Sequence, residues 1–272
     1  MKTAIAAHNA FTAKIVSSLG FDLVWGSSLE ISTAYCLPDA SIVSFDTVLR
    51  VAKEMVENSS VPVLMDCDSG YGNEVNVFYY FQELKKAGVK AVCIEDNIFP
   101  KQNSFYEGTR LLEDAQAFAR KIVMAKRIFN GPDEFVVART EALIQGMGVE
   151  EALRRATIYA DAGADYVMPH SKQSTPDEIF EFSKLWKGKT KLVSVPSKYP
   201  QVTRAELESN GYDLVIYANH TVRTIKRALE TTLPRILEAG TSAPIEKEIA
   251  PISEILAITG EDKVKELEAM SA

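Results

Sequence analysis

The sequence predicts a (β/α)₈ barrel, in which eight parallel strands alternate with eight helices. Eight short apolar runs alternate with helical patterns along the chain, and polar residues follow almost every run. The competing fold is an open, doubly wound sheet. We favour the barrel because no G-x-G-x-x-G segment follows the first run and because the polar residues are not confined to one crevice.

The predicted strands are short and mostly apolar, as buried parallel strands are. In four places a glycine ends a helical pattern just before such a run, at Gly20, Gly88, Gly163 and Gly211. A glycine at this position stops a helix, and the chain then enters the next strand. The predicted strands are Thr3–Ala7, Leu23–Trp25, Val61–Met65, Ala91–Ile94, Phe135–Ala138, Tyr166–Met168, Leu192–Val195 and Leu214–Tyr217.

The chain shows no linker or low-complexity segment that would divide the barrel. Residues 1–240 are predicted to form the catalytic barrel, and residues 241–272 a C-terminal helical extension packed on it. After the last strand we expect one long helix, roughly Val222–Leu237, then a break that contains proline and a helical region from Ser253.

Composition and charge exclude several classes of protein. The net charge of −7, without a basic patch, argues against a nucleic-acid partner. No apolar run reaches the length of a membrane span, and residues 1–16 lack the pattern of a signal peptide. We therefore expect no membrane association and a cytoplasmic location. Cys36, Cys67 and Cys93 lack the spacing of a metal site, and we interpret them as small buried residues.

Acidic residues follow the third and fourth predicted strands. Asp66 and Asp68 stand two apart, so on an extended backbone they point to the same side, and Glu95 follows the next strand. Alone, the two aspartates could equally be turn formers or a helix cap. The strands of a barrel end at one rim, where three carboxylates repel one another unless a divalent cation neutralises them. Oxygen ligands favour Mg²⁺ over Zn²⁺, and Mn²⁺ or another divalent ion could replace it.

Basic and polar residues follow the later strands. Arg139 and His170, after strands five and six, would face that metal and bind phosphate or carboxylate groups of a small anionic substrate. A lone histidine such as His170 could instead be a core residue, and Glu141 is interpreted as the partner that orients Arg139. Asn219 and His220 are interpreted as caps of the final helix.

Seven segments, spread over nearly the whole chain, resemble the phosphoenolpyruvate mutase branch of the isocitrate lyase superfamily. They are residues 25–27 (WGS), 66–73 (DCDSGYGN), 95–104 (EDNIFPKQNS), 138–142 (ARTEA), 170–172 (HSK), 195–199 (VPSKY) and 218–220 (ANH). The resemblance implies a barrel whose eighth helix is exchanged between subunits of a homo-oligomer, a dimer of dimers. It also implies Mg²⁺ and a 2-oxo acid or enolate bound at the rim.

The resemblance assigns a role to each rim residue. Asp66 is expected to bind the metal directly, while Arg139 and His170 hold a phosphoryl group. Backbone N–H groups near Ser28 are expected to receive the substrate carboxylate. The full assignment is as follows: catalytic Asp39, Lys101, Asn103, Ser104, Arg139 and His170; substrate-binding Trp25, Ser27, Ser28 and Leu29; metal-binding Asp66, Asp68 and Glu95, with Asp68, Glu95 and Asp39 holding water ligands of the ion.

The loop after the fourth strand, residues 97–108, is interpreted as a lid over this site. Its polar groups are Lys101, Asn103 and Ser104, and its hydrophobic anchors are Phe99, Pro100 and Phe105. Lyases of the superfamily carry a Lys-x-Cys-Gly-His segment there, whose cysteine is the acid/base for C–C cleavage. This loop contains no cysteine or histidine, so the sequence disfavours a C–C lyase.

Asn103 separates the two remaining activities. Within the resemblance, mutases carry Lys-x-Asn-Ser at this place and hydrolases carry threonine instead of the asparagine. Residues 101–104 therefore favour a mutase that interconverts phosphoenolpyruvate and 3-phosphonopyruvate through a loose, metaphosphate-like phosphoryl transfer. The alternatives are phosphonopyruvate hydrolase, which gives pyruvate and phosphate, and a barrel without catalysis. Ser28, Asn97 and Phe105 replace the Gly, Lys and Leu common in the family, which bears on substrate choice.

Overall fold

Eight parallel strands close into a barrel in sequence order, with β1 hydrogen-bonded to both β2 and β8. The computed structural model describes residues 1–106 and 111–271. It confirms the predicted (β/α)₈ fold, and every predicted strand lies within two residues of its expected ends. The strands are β1 (Lys2–Ala7), β2 (Leu23–Gly26), β3 (Val63–Asp66), β4 (Ala91–Glu95), β5 (Phe135–Thr140), β6 (Tyr166–Pro169), β7 (Lys191–Ser194) and β8 (Leu214–Tyr217).

Helices connect the strands, and further helices follow β8. Several begin after a side chain that accepts a backbone hydrogen bond, such as Asn9, Ser44, Asn73 and Asp114. The helices are α1 (Ala10–Ser17), α2 (Ser28–Ala34), α3 (Phe45–Asn58), α4 (Glu74–Lys86), α5 (Ala115–Ile128), α6 (Gly148–Asp161), α7 (Asp177–Leu185), α8 (Arg204–Ser209), α9 (His220–Thr232), α10 (Pro234–Ala239), α11 (Ile252–Thr259) and α12 (Glu261–Ser271).

Alternate residues of each strand face opposite sides of the barrel wall. On β1, Ala4 and Ala6 belong to the cluster that fills the barrel, whereas Ile5 packs in the layer between strands and helices. The same alternation places Leu64 of β3 inside and Met65 outside. Because both faces are covered, the strands are apolar throughout, which is the pattern that made them recognisable in the sequence.

The chain turns directly after β3, so the extended backbone does not continue to Asp68. β3 ends at Asp66, and Asp68 has a left-handed backbone (φ +49°), a conformation that aspartate tolerates better than most residues. The expectation that Asp66 and Asp68 share a side on an extended backbone is therefore wrong. Both side chains nevertheless reach the C-terminal rim of the barrel, because the turn that follows the strand redirects Asp68.

Contacts divide the chain after His220 into a barrel unit and a second, helical unit. The long helix expected over Val222–Leu237 is two helices, α9 and α10, because Pro234 has no N–H to continue the hydrogen-bond ladder. The predicted extension, residues 241–272, contains α11 and α12, and its packing on the barrel stays a prediction. Among the described helices, none combines the length and apolar character that a membrane span requires.

Candidate active site

A cavity that is partly open to solvent lies at the C-terminal ends of the barrel strands. Ten of the predicted site residues line it. The other three, Ser28, Asp68 and Glu95, each contact a lining residue, as described below. The lining residues are Trp25, Ser27, Leu29, Asp39, Asp66, Lys101, Asn103, Ser104, Phe105, Arg139, His170, Val195, Ser197, Ala218 and Asn219.

The Lys101 ammonium occupies the acidic side of the site. Its Nζ lies 2.8 Å from Asp68 Oδ1 and 3.0 Å from Asp39 Oδ1, and the lysine side chain is only 4% exposed. Burial alone would lower the pKa of Lys101, but the surrounding carboxylates outweigh it, so its pKa lies well above the ordinary value. Burial likewise tends to raise the pKa of Asp39, and the Lys101 charge reverses this to a lowered pKa.

Ser28 connects this lysine to the aspartate at the end of β3. The Ser28 hydroxyl accepts a hydrogen bond from Lys101 Nζ at 2.8 Å and donates one to Asp66 Oδ2 at 2.7 Å. A glycine at this position could form neither of these hydrogen bonds. Asp66 is also buried, and burial raises its pKa above the ordinary value.

The acids predicted to hold a metal share one rim without forming a ready cage. In the part of the chain that the structure describes, no three acidic, histidine or cysteine side chains converge closely enough to hold an ion. Two buried oxygens, Asp68 Oδ1 and Glu95 Oε2, accept no hydrogen bond from the described residues, although each lies within ion-pair distance of a basic side chain. Mg²⁺ usually takes only one or two carboxylates and keeps several waters, so this donor set fits it.

Glu141 holds the basic side of the site together. Its Oε1 lies 2.6 Å from Arg139 Nε and 2.8 Å from His170 Nδ1, and its Oε2 accepts from the Ser104 hydroxyl at 2.6 Å. Arg139 also donates to Ser104 Oγ at 2.7 Å, so the loop residue is held by both partners. Burial opposes ionisation of Glu141, but Arg139 and His170 outweigh it and depress its pKa.

Burial changes the charge state of two further groups at this rim. It raises the pKa of Glu95 to about 7, although the guanidinium of Arg139, 3.2 Å away, favours the carboxylate. Burial and the Arg139 charge together lower the pKa of His170, so the imidazole is neutral near pH 7. A neutral ring can accept a hydrogen bond from Arg139, whose Nη2 is 2.9 Å from His170 Nδ1.

Another buried acid, Asp96, forms hydrogen bonds to the backbone of Glu141 and to its neighbours. Its carboxylate accepts the backbone N–H of Glu141 at 2.8 Å and the hydroxyls of Thr140 and Tyr159 at 3.0 and 2.7 Å. Arg155 of α6 adds an ion pair at 3.2 Å. The end of β5 is therefore anchored to β4 and α6, which fixes the backbone that carries Arg139 and Glu141.

The segment 97–106, which we name the β4 loop, brings its polar groups into the cavity. Asn103 Nδ2 donates to Asp39 Oδ2 at 2.8 Å, and Asn103 Oδ1 accepts the backbone N–H of Phe105 at 3.0 Å. The Phe105 ring meets the His170 ring edge to face, with centroids 6.0 Å apart. Glu107 and Gly108, the last two residues of the predicted lid, lie outside the described residues.

The structure also corrects and extends the sequence analysis. Two of the N–H groups expected to receive a substrate carboxylate are already used: Ser27 N–H donates to Ala7 O, and Ser28 N–H points to Asp66 Oδ2 at 3.4 Å. Asn219, interpreted as a helix cap, lines the cavity and donates to Ser197 Oγ at 3.3 Å. Asn219 and Ser197 both follow predicted strands. Because the residues after the strands of a barrel lie at the rim of the active site, the sequence could have assigned both to the site.

Ser41 is a site residue that the sequence gave no reason to select. Its hydroxyl donates to Asp68 Oδ2 at 2.9 Å and accepts the backbone N–H of Lys101 at 3.3 Å. It lies in an irregular segment before α3 with a left-handed backbone (φ +55°), where no periodic pattern exists. Only tertiary contacts reveal it.

The cysteines are not placed for acid/base chemistry. Cys67 and Cys93 are buried, and burial raises the pKa of both thiols well above the ordinary value, while Cys36 is exposed. The β4 loop supplies an amide, a hydroxyl and an ammonium group instead. A cleavage of C–C bonds that depends on a cysteine therefore has no cysteine to perform it among the lining residues.

Comparison with known proteins agrees with this geometry. Phosphonopyruvate hydrolase of Variovorax sp. (strain Pal2) is 39% identical over 98% of this chain and 93% of the relative. Phosphoenolpyruvate phosphomutase of Tetrahymena pyriformis is also 39% identical, over 96% of this chain and 87% of the relative.

Two solved structures have the same fold over nearly the full length. A phosphoenolpyruvate phosphomutase from Streptomyces platensis subsp. rosaceus superposes with a TM-score of 0.96, at 40% identity, covering 99% of this chain and 94% of that one. A phosphonopyruvate hydrolase in complex with oxalate and Mg²⁺ gives 0.92 at 38% identity, covering 99% and 93%. The family model described as phosphoenolpyruvate phosphomutase matches residues 2–237, so this chain belongs to the phosphoenolpyruvate phosphomutase family.

Proposed function

We propose that this protein is a phosphoenolpyruvate mutase, which interconverts phosphoenolpyruvate and 3-phosphonopyruvate. The observation that carries the proposal is the seating of the β4 loop in the cavity. Ser104 forms hydrogen bonds with both Glu141 and Arg139, and Asn103 forms one with Asp39. These contacts support a site in which Arg139 and His170 would bind the phosphoryl group and the polar groups of the loop would close the cavity, with no need for an acid/base cysteine.

We propose that Mg²⁺ is the cofactor. Asp66 would hold the ion directly, with Asp39, Asp68 and Glu95 holding its water ligands. The two buried carboxylate oxygens without hydrogen bonds, Asp68 Oδ1 and Glu95 Oε2, support this. The hydrolase relative binds Mg²⁺ together with oxalate, a dicarboxylate that resembles an enolate of pyruvate in its arrangement of oxygens. When bound, the ion would stabilise negative charge on the oxygens of the substrate.

The residues of the chain would bind the phosphoryl group while it is transferred. In one direction the C–P bond of phosphonopyruvate breaks and the electron pair stays on the enolate, whose oxygen forms the new P–O bond. The phosphoryl group passes through a loose, metaphosphate-like state in which its equatorial oxygens carry the charge. Arg139 and the neutral His170 line the cavity and would donate hydrogen bonds to those oxygens, while Ser104, which donates to Glu141 and accepts from Arg139, would hold Arg139 in place.

The β4 loop would act as a lid, because a free water molecule can trap the same phosphoryl group. Lys101 would bring positive charge to the site as the loop closes, and its side chain is already buried there. Excluding water also strengthens every charge–charge interaction inside the cavity. A closed loop favours isomerisation, and a loop that admits water gives hydrolysis.

Phosphonopyruvate hydrolase is the second candidate, favoured by one observation: the Variovorax hydrolase is as similar to this chain as the Tetrahymena mutase. Asn103 is the local feature that favours the mutase. The two activities differ only in whether the enolate oxygen or a water oxygen receives the phosphoryl group. A product analysis therefore separates them without ambiguity.

Phosphorus NMR of purified protein with phosphonopyruvate and Mg²⁺ tests the proposal. A mutase moves the phosphonate signal to that of the phosphate ester of phosphoenolpyruvate. Growth of free phosphate in its place would establish the hydrolase. An unchanged phosphonate signal would contradict both activities, and chelation of the metal with EDTA should abolish the conversion.

We further propose that the chain forms a homo-oligomer in which α9 packs against another subunit. None of the residues of α9 is buried in the single chain. Ile225 and Leu229 of α9, with Leu233 directly after it, form an exposed apolar stripe at helical spacing. An exposed apolar stripe of this kind marks a contact surface. The family resemblance points to exchange of this eighth barrel helix in a dimer of dimers.

A further inference from the structure

Phe105 stands apart from its neighbours on the β4 loop because it brings an apolar ring to a mostly polar part of the cavity. The ring lines the cavity beside Ser104, Arg139 and His170, yet the residue is 39% exposed. Part of the side chain therefore faces the site and part faces solvent. A side chain so placed lies between bulk water and the groups proposed to hold the phosphoryl group.

Two residues from different strands hold this ring. The His170 imidazole, after β6, meets it edge to face at a centroid distance of 6.0 Å and an interplanar angle of 68°. The Lys198 ammonium, after β7, lies 5.4 Å from the ring centroid, within the range of a cation–π contact. Phe105 is thus in contact with two rim residues, which favours the position that covers the cavity.

The same residue is linked to the polar end of the loop. The Phe105 backbone N–H donates to Asn103 Oδ1 at 3.0 Å, and the Asn103 amide donates to Asp39 at 2.8 Å. If the ring leaves the rim, this turn moves with it. The position of the ring and the position of Asn103 are therefore coupled through one hydrogen bond.

We propose that Phe105 determines the reaction specificity of this site, in that its ring, held by His170 and Lys198, keeps water from the phosphoryl group. The inference rests on the mutase activity proposed above. In isomerisation the C–P bond breaks and the enolate oxygen forms the P–O bond. In hydrolysis a water oxygen forms that bond, one water proton passes to C3 of the enolate, and pyruvate and phosphate leave.

The test compares product ratios by phosphorus NMR, with phosphonopyruvate and Mg²⁺ and the full-length chain. We expect wild type to give phosphoenolpyruvate with little phosphate. Phe105→Ala should raise the ratio of phosphate to phosphoenolpyruvate about tenfold or more, because a cavity opens beside His170. Phe105→Leu, which keeps an apolar side chain, should lie between the two. Lys198→Met should raise the ratio about two- to fivefold, since an exposed cation–π contact is weak.

Tyr106→Ala is the matched control. Tyr106 is the next aromatic residue of the same loop, is 71% exposed and does not line the cavity, so its loss should leave the product ratio unchanged. A Phe105→Ala variant that slows but keeps the wild-type ratio would overturn the inference while leaving the mutase proposal intact. A wild type that forms no phosphoenolpyruvate would overturn both. Should Phe105→Ala fold poorly, Lys198→Met, which changes only an exposed side chain, tests the same inference. A product ratio equal to that of wild type would then overturn it.

Discussion

Glu141 shows how much of the site depends on a single buried carboxylate. It contacts Arg139 and His170 on the strand ends and Ser104 on the loop, all at 2.6 to 2.8 Å. The sequence analysis interpreted it as the partner of Arg139, which is confirmed, but its contacts to the loop and to His170 required the fold. Sequence spacing shows which strand ends at a residue, not which side chain from another strand it meets.

Replacing Glu141 by Gln should leave the side-chain shape and remove the charge that pairs with Arg139. We expect kcat for isomerisation to fall about 100-fold, because the two phosphoryl-binding groups lose their common anchor. Steady-state kinetics measures the effect, with Glu83→Gln as the control, since Glu83 pairs with Lys86 on the exposed face of α4. Equal kcat values for Glu141→Gln and wild type would contradict the role.

Glu95 predicts a pH dependence of stability in the metal-free protein. Burial raises its pKa from the ordinary 4.5 to about 7. Between these two values the folded chain binds more protons than the unfolded chain, so stability falls as the pH rises through this window. Glu95→Gln removes the buried charge and should be more stable than wild type at pH 8, by up to about 3 kcal/mol.

Urea unfolding in EDTA at several pH values measures this difference. It should shrink steadily as the pH falls from 7 toward 5, because wild-type Glu95 becomes protonated and loses its charge. A difference of the same size at pH 8 and pH 5 would show that the charge of Glu95 is not its cause.

At the scale of elements, the strand ends were predictable and the β4 loop was not. Apolar runs set the limits of each strand, and the polar residue after each run necessarily reaches the rim of a parallel barrel. The loop has no periodic pattern, so its contacts follow from side chains far away in the sequence. Lys101, for example, pairs with residues 33 and 62 positions earlier, Asp68 and Asp39.

The position of Lys101 predicts that the loop stabilises the metal-free site. Lys101→Met leaves Asp39 and Asp68 buried without their cation, and an unpaired buried charge costs about 3–5 kcal/mol. We expect the unfolding midpoint in EDTA to fall by roughly 5–10 °C. Adding Mg²⁺ should raise the midpoint more in the variant than in wild type, because the ion neutralises the same carboxylates.

Thermal unfolding with and without Mg²⁺ measures both the midpoint in EDTA and its rise when the ion is added. Lys53→Met, at an exposed position of α3, is the control and should change neither value appreciably. If Lys101→Met unfolds at the wild-type temperature in EDTA, the lysine does not stabilise the carboxylates as the structure indicates.

At the scale of the whole molecule, the fold followed from the alternation of runs and helical patterns, since closure into a barrel leaves no strand edge unpaired. The division of the helix after β8 into α9 and α10 could not be predicted from the apolar pattern. The apolar spacing continues across Pro234, whereas the hydrogen-bond ladder does not. The apolar stripe of α9 could be interpreted as a contact surface only after the structure showed that these side chains are exposed in the single chain. It predicts association.

Leu229→Glu should weaken that association, because it places a charge in the middle of the stripe, where Leu229 is 51% exposed in the single chain. Light scattering coupled to size-exclusion chromatography should show a shift to smaller species. Thr231→Glu adds the same charge two residues on, roughly on the opposite face of the helix. An identical mass for wild type and Leu229→Glu would exclude the stripe as the interface.

The most direct test of the proposed chemistry is to run the reaction from phosphonopyruvate in ¹⁸O-labelled water with Mg²⁺ and to read the phosphorus signals. If this site transfers the phosphoryl group from carbon to the enolate oxygen without water, phosphoenolpyruvate accumulates and its phosphoryl oxygens stay unlabelled. Phosphate that carries one ¹⁸O atom, as the main product, would contradict the account.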